Sequence, residues 1–228
     1  MTIKGIFVTG TDTGVGKTLV SCELLLAARR RGIRPVGMKP IASGANVTTE
    51  GLRNDDALAL SGADGEGATY GDVNPYCFAA AIAPHIAARE SGVSVELARI
   101  DASASRLASQ RDWLLVEGVG GWLAPLSTGL TVRDLARHMA LPVVLVVGLR
   151  LGCLNHAALS FDSIQRSGLV FAGWIASQIE PTMRRIKQNL ATLAEILEAP
   201  PLAVLRWRPD ETQRRRQMDA AIASLIDG

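Results

Sequence analysis

Cysteine is scarce in this chain, charge of either sign is barely in excess, and no long apolar run occurs. The three cysteines, Cys22, Cys77 and Cys153, stand far apart and form no CxxC pair, so neither a zinc site nor a disulfide framework is indicated and a reducing cytoplasm is expected. Lysine plus arginine exceeds aspartate plus glutamate by only two, 24 against 22, which leaves no global field to gather nucleic acid or anionic lipid. The longest apolar stretch, Leu141 to Leu149 with Pro142 inside it, is about half of what a bilayer-spanning helix needs. The start, Met1-Thr2-Ile3-Lys4, has no secretory h-region, so neither membrane nor export is expected. His85, His138 and His156 lack metal-ligand spacing and no serine or cysteine sits in a nucleophile-elbow pattern, which leaves hydrolase triads unsupported.

What is present is an ordinary globular composition: 228 residues, 48% hydrophobic and 20% charged. Such a chain can bury roughly 70–75% of its unfolded surface, and with no repeat or linker the economical reading is one domain over residues 1–228. Short β-branched runs recur with helical stretches between them, placing strands near 5–9, 33–38, 113–117, 143–148, 170–176 and 202–205. Leu114-Leu115-Val116 and Val143 to Val147 are apolar at every position, as strands covered on both faces must be. The fold class expected is therefore α/β, a doubly wound parallel sheet with helices on both faces, whose ligands collect just beyond the carboxyl ends of the strands. Residues 39–100, rich in glycine and proline, read as short helical pieces and substrate-side loops. Arg29-Arg30-Arg31 before Gly32 reads as cations at a helix C-terminus. Arg214-Arg215-Arg216 opens a final helix whose apolar series Met218, Ala221, Ile222, Leu225 and Ile226 packs on the sheet, a basic membrane-surface helix being the alternative.

The strongest motif follows the first strand: Gly10-Thr11-Asp12-Thr13-Gly14-Val15-Gly16-Lys17-Thr18, then a helical run to Arg31. It reads as a phosphate-binding loop, in which glycines let backbone N–H groups approach phosphate oxygens, Lys17 reaches the β- and γ-phosphates and the Thr18 hydroxyl can ligate Mg²⁺. The strict G-x-x-x-x-G-K-[ST] pattern puts glycine at position 11, whereas this chain has Thr11 and carries Gly10 one place earlier. Glu117 ends a buried strand before Gly118-Val119-Gly120-Gly121, where such folds place a magnesium-side carboxylate beside glycines that admit a ligand. Lys39-Pro40 ends the second strand and Ser43-Gly44 follows, so Lys39 is either a second cation on that edge or a lone exposed lysine. Asp55-Asp56 is either a further Mg²⁺ ligand or a solvated helical first turn.

Taken together, the phosphate loop, Lys39-Pro40-Ile41-Ala42-Ser43-Gly44, Gly51 to Leu58, Asn74-Pro75-Tyr76, Val116 to Trp122 and Leu151-Gly152-Cys153-Leu154-Asn155-His156 resemble dethiobiotin synthase over nearly the whole chain, in the same order. The resemblance implies an ATP- and Mg²⁺-dependent ring closure in biotin synthesis, from 7,8-diaminononanoate, CO₂ and ATP to dethiobiotin, ADP and phosphate. It implies that Gly14, Val15, Gly16 and Lys17 hold phosphates, that Thr18, Asp56 and Glu117 surround the metal, and that Gly118, Val119 and Gly120 line the nucleotide. Lys39, Lys17 and Thr13 then carry catalysis, with Ser43 and the helix start at Gly152, Cys153, Leu154 and Asn155 on substrate. It also implies a homodimer, with substrate spanning the interface.

The chain departs from the family pattern on the adenine side, where Ser177 takes the place of an asparagine and Leu205-Arg206-Trp207 that of a proline-containing turn. Ser177, Gln178, Arg206, Trp207 and Arg208 are the residues expected there. Asn189 stands where some members present a tyrosine from the partner to the substrate carboxylate. Two other classes compete: a partitioning ATPase of the ParA/MinD type, whose signature lysine falls where this loop has Asp12, and an ATP-dependent synthase acting on a cobalamin-type carboxylate.

Overall fold

A computed structural model describes residues 4–65, 67–207 and 210–227. Six strands, β1 (Gly5–Gly10), β2 (Pro35–Met38), β7 (Trp113–Glu117), β10 (Val143–Leu149), β11 (Phe171–Gln178) and β12 (Ala203–Leu205), form one parallel sheet in the order β12-β11-β10-β1-β7-β2. The helices are α1 (Lys17–Arg30), α2 (Asp55–Asp64), α3 (Tyr70–Val73), α4 (Pro84–Glu90), α5 (Leu97–Ala108), α6 (Val132–Met139), α7 (Cys153–Gln165), α8 (Ile186–Ile196) and α9 (Glu211–Asp227). Short strands β3 (Ile41–Ser43) and β6 (Tyr76–Phe78), β4 (Asn46–Thr48) and β5 (Gly51–Arg53), and β8 (Pro125–Ser127) and β9 (Leu130–Thr131) pair outside the main sheet.

Alternation along the central strands sorts their side chains into two cores. Ile6, Val8, Leu115, Val144 and Val146 face α1 and α9, where Val20, Leu24, Met218 and Ile222 are buried. Phe7, Leu114, Val116, Val143, Leu145 and Val147 face the other way, onto Ile100, Leu135, Phe161 and Leu193 of α5 to α8. Each such side chain is worth about 1.5–3 kcal/mol of burial, so both faces of the sheet are closed by helices and its carboxyl edge is left to the loops. Trp113 and Trp174 are buried. All six strands expected from the sequence are present, with ends shifted by up to two residues.

Between residues 39 and 100 the structure differs from the reading of short helical pieces: four strands lie there as well. Three-residue strands carry too little alternation to be recognised, and the parallel partner of β3 lies on β6, more than thirty residues away in sequence.

Both arginine triplets are structural. Arg29 and Arg30 close α1, Arg30 and Arg31 pair with Asp219 and Asp227 of α9, and Arg214 pairs with Glu23. The final helix thus packs back on the sheet, as expected. Among the described residues no helix is long and apolar enough to cross one.

Candidate active site

Strand order places the loop. The chain steps from β1 out to β2, returns to β7, then crosses to β10, so the direction of winding reverses around β1 and a crevice opens past its carboxyl end. Thr11 N–H donates to Val146 O at 3.0 Å, which ties the loop start to β10. Gly16 caps α1 in the left-handed region at φ 91°, and a Cβ there would stand 2.6 Å from Ser177 Oγ. Only glycine serves at such a position. No side chain caps α1, so its first N–H groups remain directed at whatever the loop holds.

Side chains from the start of α1, the residue after β2, the first turn of α2 and the end of β7 meet on the floor of this crevice. Lys17 Nζ donates to the carbonyls of Asp12 at 2.9 Å and Gly120 at 2.6 Å. Lys39 Nζ donates to Glu117 Oε1 at 2.6 Å, Asp56 Oδ2 at 3.0 Å and Gly118 O at 3.1 Å, which takes up all three of its protons. Thr18 Oγ1 donates to the same Glu117 oxygen at 2.9 Å. Glu117 is fully buried and opposite Val8 in the register of β7 on β1. Lys39 is 2% exposed, so of the two sequence readings it is the cation of the site and not a lone surface lysine. Asp56 stands in the first turn of α2, which Asn54 caps by accepting from the Asp56 and Ala57 N–H groups.

The charges perturb one another. Burial alone would lower the Lys39 pKa, but Glu117 and Asp56 more than reverse this and hold it above the ordinary lysine value. Burial likewise works to raise Asp56, and Lys39 overrides it, aided by Thr18 and Lys17, so this carboxylate lies below its usual range. Lys17 falls to about 8, because burial and the neighbouring Lys39 charge outweigh the pull of Glu117, Asp56 and Asp12.

Above this floor lies a cleft of about 860 Å³, lined by Thr13, Gly14, Gly16, Ser43, Val119, Gly120 and the apolar Ile82, Pro84 and Pro125, among others. Its volume is in the range that holds a nucleotide-sized ligand. Val15 is not on the lining; it is buried beneath Gly10 and Gly148. Ser177 and Gln178 end β11 two strands away from β1, Ser177 buried against Gly16. Gln178 ties that edge together: its Oε1 accepts from Trp207 N–H at 3.3 Å and its Nε2 donates to Glu180 O at 3.0 Å and Pro181 O at 3.3 Å. Arg206 and Trp207 are exposed past β12, and Arg208 lies outside the described residues. Gly152 to Asn155 do form a helix start, with Gly152 at φ 95°, but none of them lines the cleft of their own chain.

Two features escaped the sequence reading. The wall at Ala81 to Pro84 has no motif to mark it. Arg150, whose Nη2 lies 2.5 Å from Asp12 Oδ2, stands immediately past a buried strand. The strand-end rule that singled out Lys39 and Glu117 applies equally to it.

A family model described as an AAA domain matches residues 4–215. The ATP-dependent dethiobiotin synthetase BioD of Pseudomonas aeruginosa (strain UCBPP-PA14) is 55% identical over 226 residues, covering 99% of this chain and 96% of that protein. The chain belongs to the ATP-dependent dethiobiotin synthetase family. Members from Xylella fastidiosa (strain 9a5c), 52% identical over 200 residues and 88% of each chain, and Xanthomonas campestris pv. campestris (strain B100), 48% identical over 210 residues with 92% and 94% coverage, agree. The family is one of ligases, and this chain is an enzyme of that class on a P-loop ATP-binding fold. The fold extends further than the family: the MinD cell division protein of Aquifex aeolicus superposes with a TM-score of 0.63 at 14% identity, covering 99% of this chain and 97% of that one. The cell division ATPase MinD of Pyrococcus furiosus gives 0.61 at 17% identity, with 100% and 99% coverage. At such identities the likeness is one of fold alone.

Proposed function

We propose that this enzyme closes 7,8-diaminononanoate and CO₂ into the cyclic urea of dethiobiotin at the expense of ATP, acting as a single domain over residues 1–228 and as a homodimer in the cytoplasm. The observation that carries this reading is the meeting of Lys17, Thr18, Lys39, Asp56 and Glu117 on the floor of one cleft in a chain of this family.

The donor set fits a magnesium ion. Thr18, Asp56 and Glu117 offer hard oxygens, and Glu117 Oε2 is buried without any hydrogen-bond partner. Among the described residues no cluster of three or more His, Cys, Asp or Glu could cage a metal, which accords with an ion held by one or two carboxylates and substrate phosphates. When bound there, Mg²⁺ supplies charge neutralisation for the transferring phosphoryl group.

One amine of the substrate adds to CO₂ and loses a proton, giving a carbamate. The carbamate oxygen takes the γ-phosphoryl group with release of ADP; the second amine then attacks the carbonyl carbon, losing a proton and expelling phosphate. Gly14 to Thr18 hold the triphosphate with backbone N–H groups and the Lys17 ammonium. Lys39 exchanges a protein acceptor for the carbamate oxygen, while Thr13 and Ser43 position the substrate. The second amine sits on the adjacent carbon, so its attack is intramolecular, with an effective molarity that can reach roughly 10⁵ M. Each donor aimed at developing oxyanion charge is worth about 3–4 kcal/mol, which is the contribution assigned to Lys17 and Lys39. The partner's helix start, residues 152–155, meets the distal carboxylate, as helix N-termini meet anions. Ser177, Gln178, Arg206 and Trp207, with Arg208, attend the adenine.

The test is ADP release with and without diaminononanoate plus bicarbonate, with the product identified by mass. Turnover that requires both, yielding dethiobiotin, is expected. Rapid turnover without the diamine, or stimulation by DNA or lipid, would overturn the reading in favour of a nucleotide switch.

A further inference from the structure

An aspartate in a loop that wraps a triphosphate is electrostatically out of place. Asp12 lines the cleft, and its carboxylate is about half exposed. Unmasked, it would repel the polyanion that the loop exists to bind. Three contacts explain how it is accommodated. Asp12 Oδ2 receives Arg150 Nη2 at 2.5 Å, Oδ1 receives the Thr13 N–H at 2.7 Å, and the Asp12 carbonyl receives Lys17 Nζ at 2.9 Å. The carboxylate charge is thus met by Arg150 and one backbone N–H, while Lys17 is held by the main-chain carbonyl of the same residue.

Arg150 itself is not on the cleft lining. It follows β10, the strand to which the loop start is already bonded through Thr11 and Val146. We propose that Arg150 is a positioning residue for nucleotide binding: it acts by masking the Asp12 charge, so that the loop carrying Thr13 and Lys17 can receive a polyanion without repulsion from its own aspartate. Arg150 therefore acts through Asp12, without touching phosphate. This deepens the proposed function, resting on its assignment of the loop to the triphosphate.

That arrangement makes a sign prediction that neither a direct phosphate ligand nor a packing residue shares. Binding of a non-hydrolysable ATP analogue with Mg²⁺ is measured by calorimetry for the wild type, R150Q, D12N and R150Q/D12N, with thermal unfolding of each to establish a native fold. R150Q weakens binding by about five- to tenfold at low salt and by less at high salt, where exposed charges are screened. D12N, which keeps the acceptor for Thr13, stays within about twofold of the wild type, and the double variant recovers to that level because the charge to be masked is gone. In turnover the R150Q loss falls on KM for ATP and leaves KM for the diamine unchanged. A double variant as weak as R150Q, or an R150Q that binds like the wild type, overturns the inference while the proposed function stands. Failure of the wild type to bind the analogue overturns the proposed function, and this inference with it.

Discussion

The carboxyl edge of the sheet presents two unlike regions. At the ends of β1, β2 and β7, charged side chains are buried and cross-bonded: Lys39, Glu117 and Lys17 are each less than a tenth exposed, and of their charged atoms all but Glu117 Oε2 have a protein partner. At the ends of β11 and β12, Arg206 and Trp207 stand in solvent, and one glutamine side chain ties the edge to backbone groups. On the function proposed above, the contrast follows from what each region would do. Charge that must act on a transferring group is effective only where water is excluded and the donors are already in place. Recognition of a base asks for contact area and a few backbone groups, which a surface turn supplies.

The comparison can be broken most severely at Lys39. Lys39→Met leaves Glu117 buried with its cation gone, and the expected cost is about 3–5 kcal/mol in chemical denaturation. Adding Glu117→Gln to that variant should recover most of the stability, since the pair is then removed together. A single variant as stable as the wild type would show that the two charges are not held against each other. The next effect is on nucleotide affinity. Lys17 has a pKa of about 8 in the free protein, and a bound triphosphate favours its charged form. Below that pH the ammonium is already present; above it, binding must take up a proton. Affinity should therefore be flat below about pH 8 and fall about fivefold over the next pH unit, read by calorimetry with proton uptake detected in buffers of different ionisation enthalpy. Affinity that is level through pH 9 would remove Lys17 from the phosphates. The smallest effect belongs to the open edge: Gln178→Ala should raise KM for ATP by about three- to tenfold, the worth of one or two hydrogen bonds, and leave kcat unchanged. A fall in kcat would mean that this edge is coupled to the chemistry.

The same contrast explains what could be read in advance. Unbroken apolar runs announced β7 and β10, the glycines from Gly10 to Gly16 announced the turn from strand to helix, and the apolar run before Glu117 announced the buried strand that it ends. Asn54 caps the helix that carries Asp56 through a purely local contact. Sequence could not separate a buried Lys39 from an exposed one, because its environment comes from β7, almost eighty residues away, and from α2. Nor could it set Arg150 against Asp12, or seat the wall at Ala81 to Pro84, since these depend on loops whose ends are placed by other strands.

What the chain determines by itself is therefore periodic or contiguous: which segments are covered on both faces, where a strand turns through glycine into a helix, and which capping residues start it. Strand order was decided by the tertiary structure, and with it the meeting of Lys17, Lys39, Asp56 and Glu117 over separations of up to a hundred residues. Burial and the neighbouring charges together then moved Lys17, Lys39 and Asp56 away from their ordinary pKa values. Hydrophobic pattern is a property of neighbours in sequence, whereas the field at a charged group is summed over whatever the fold brings within a few ångströms of it.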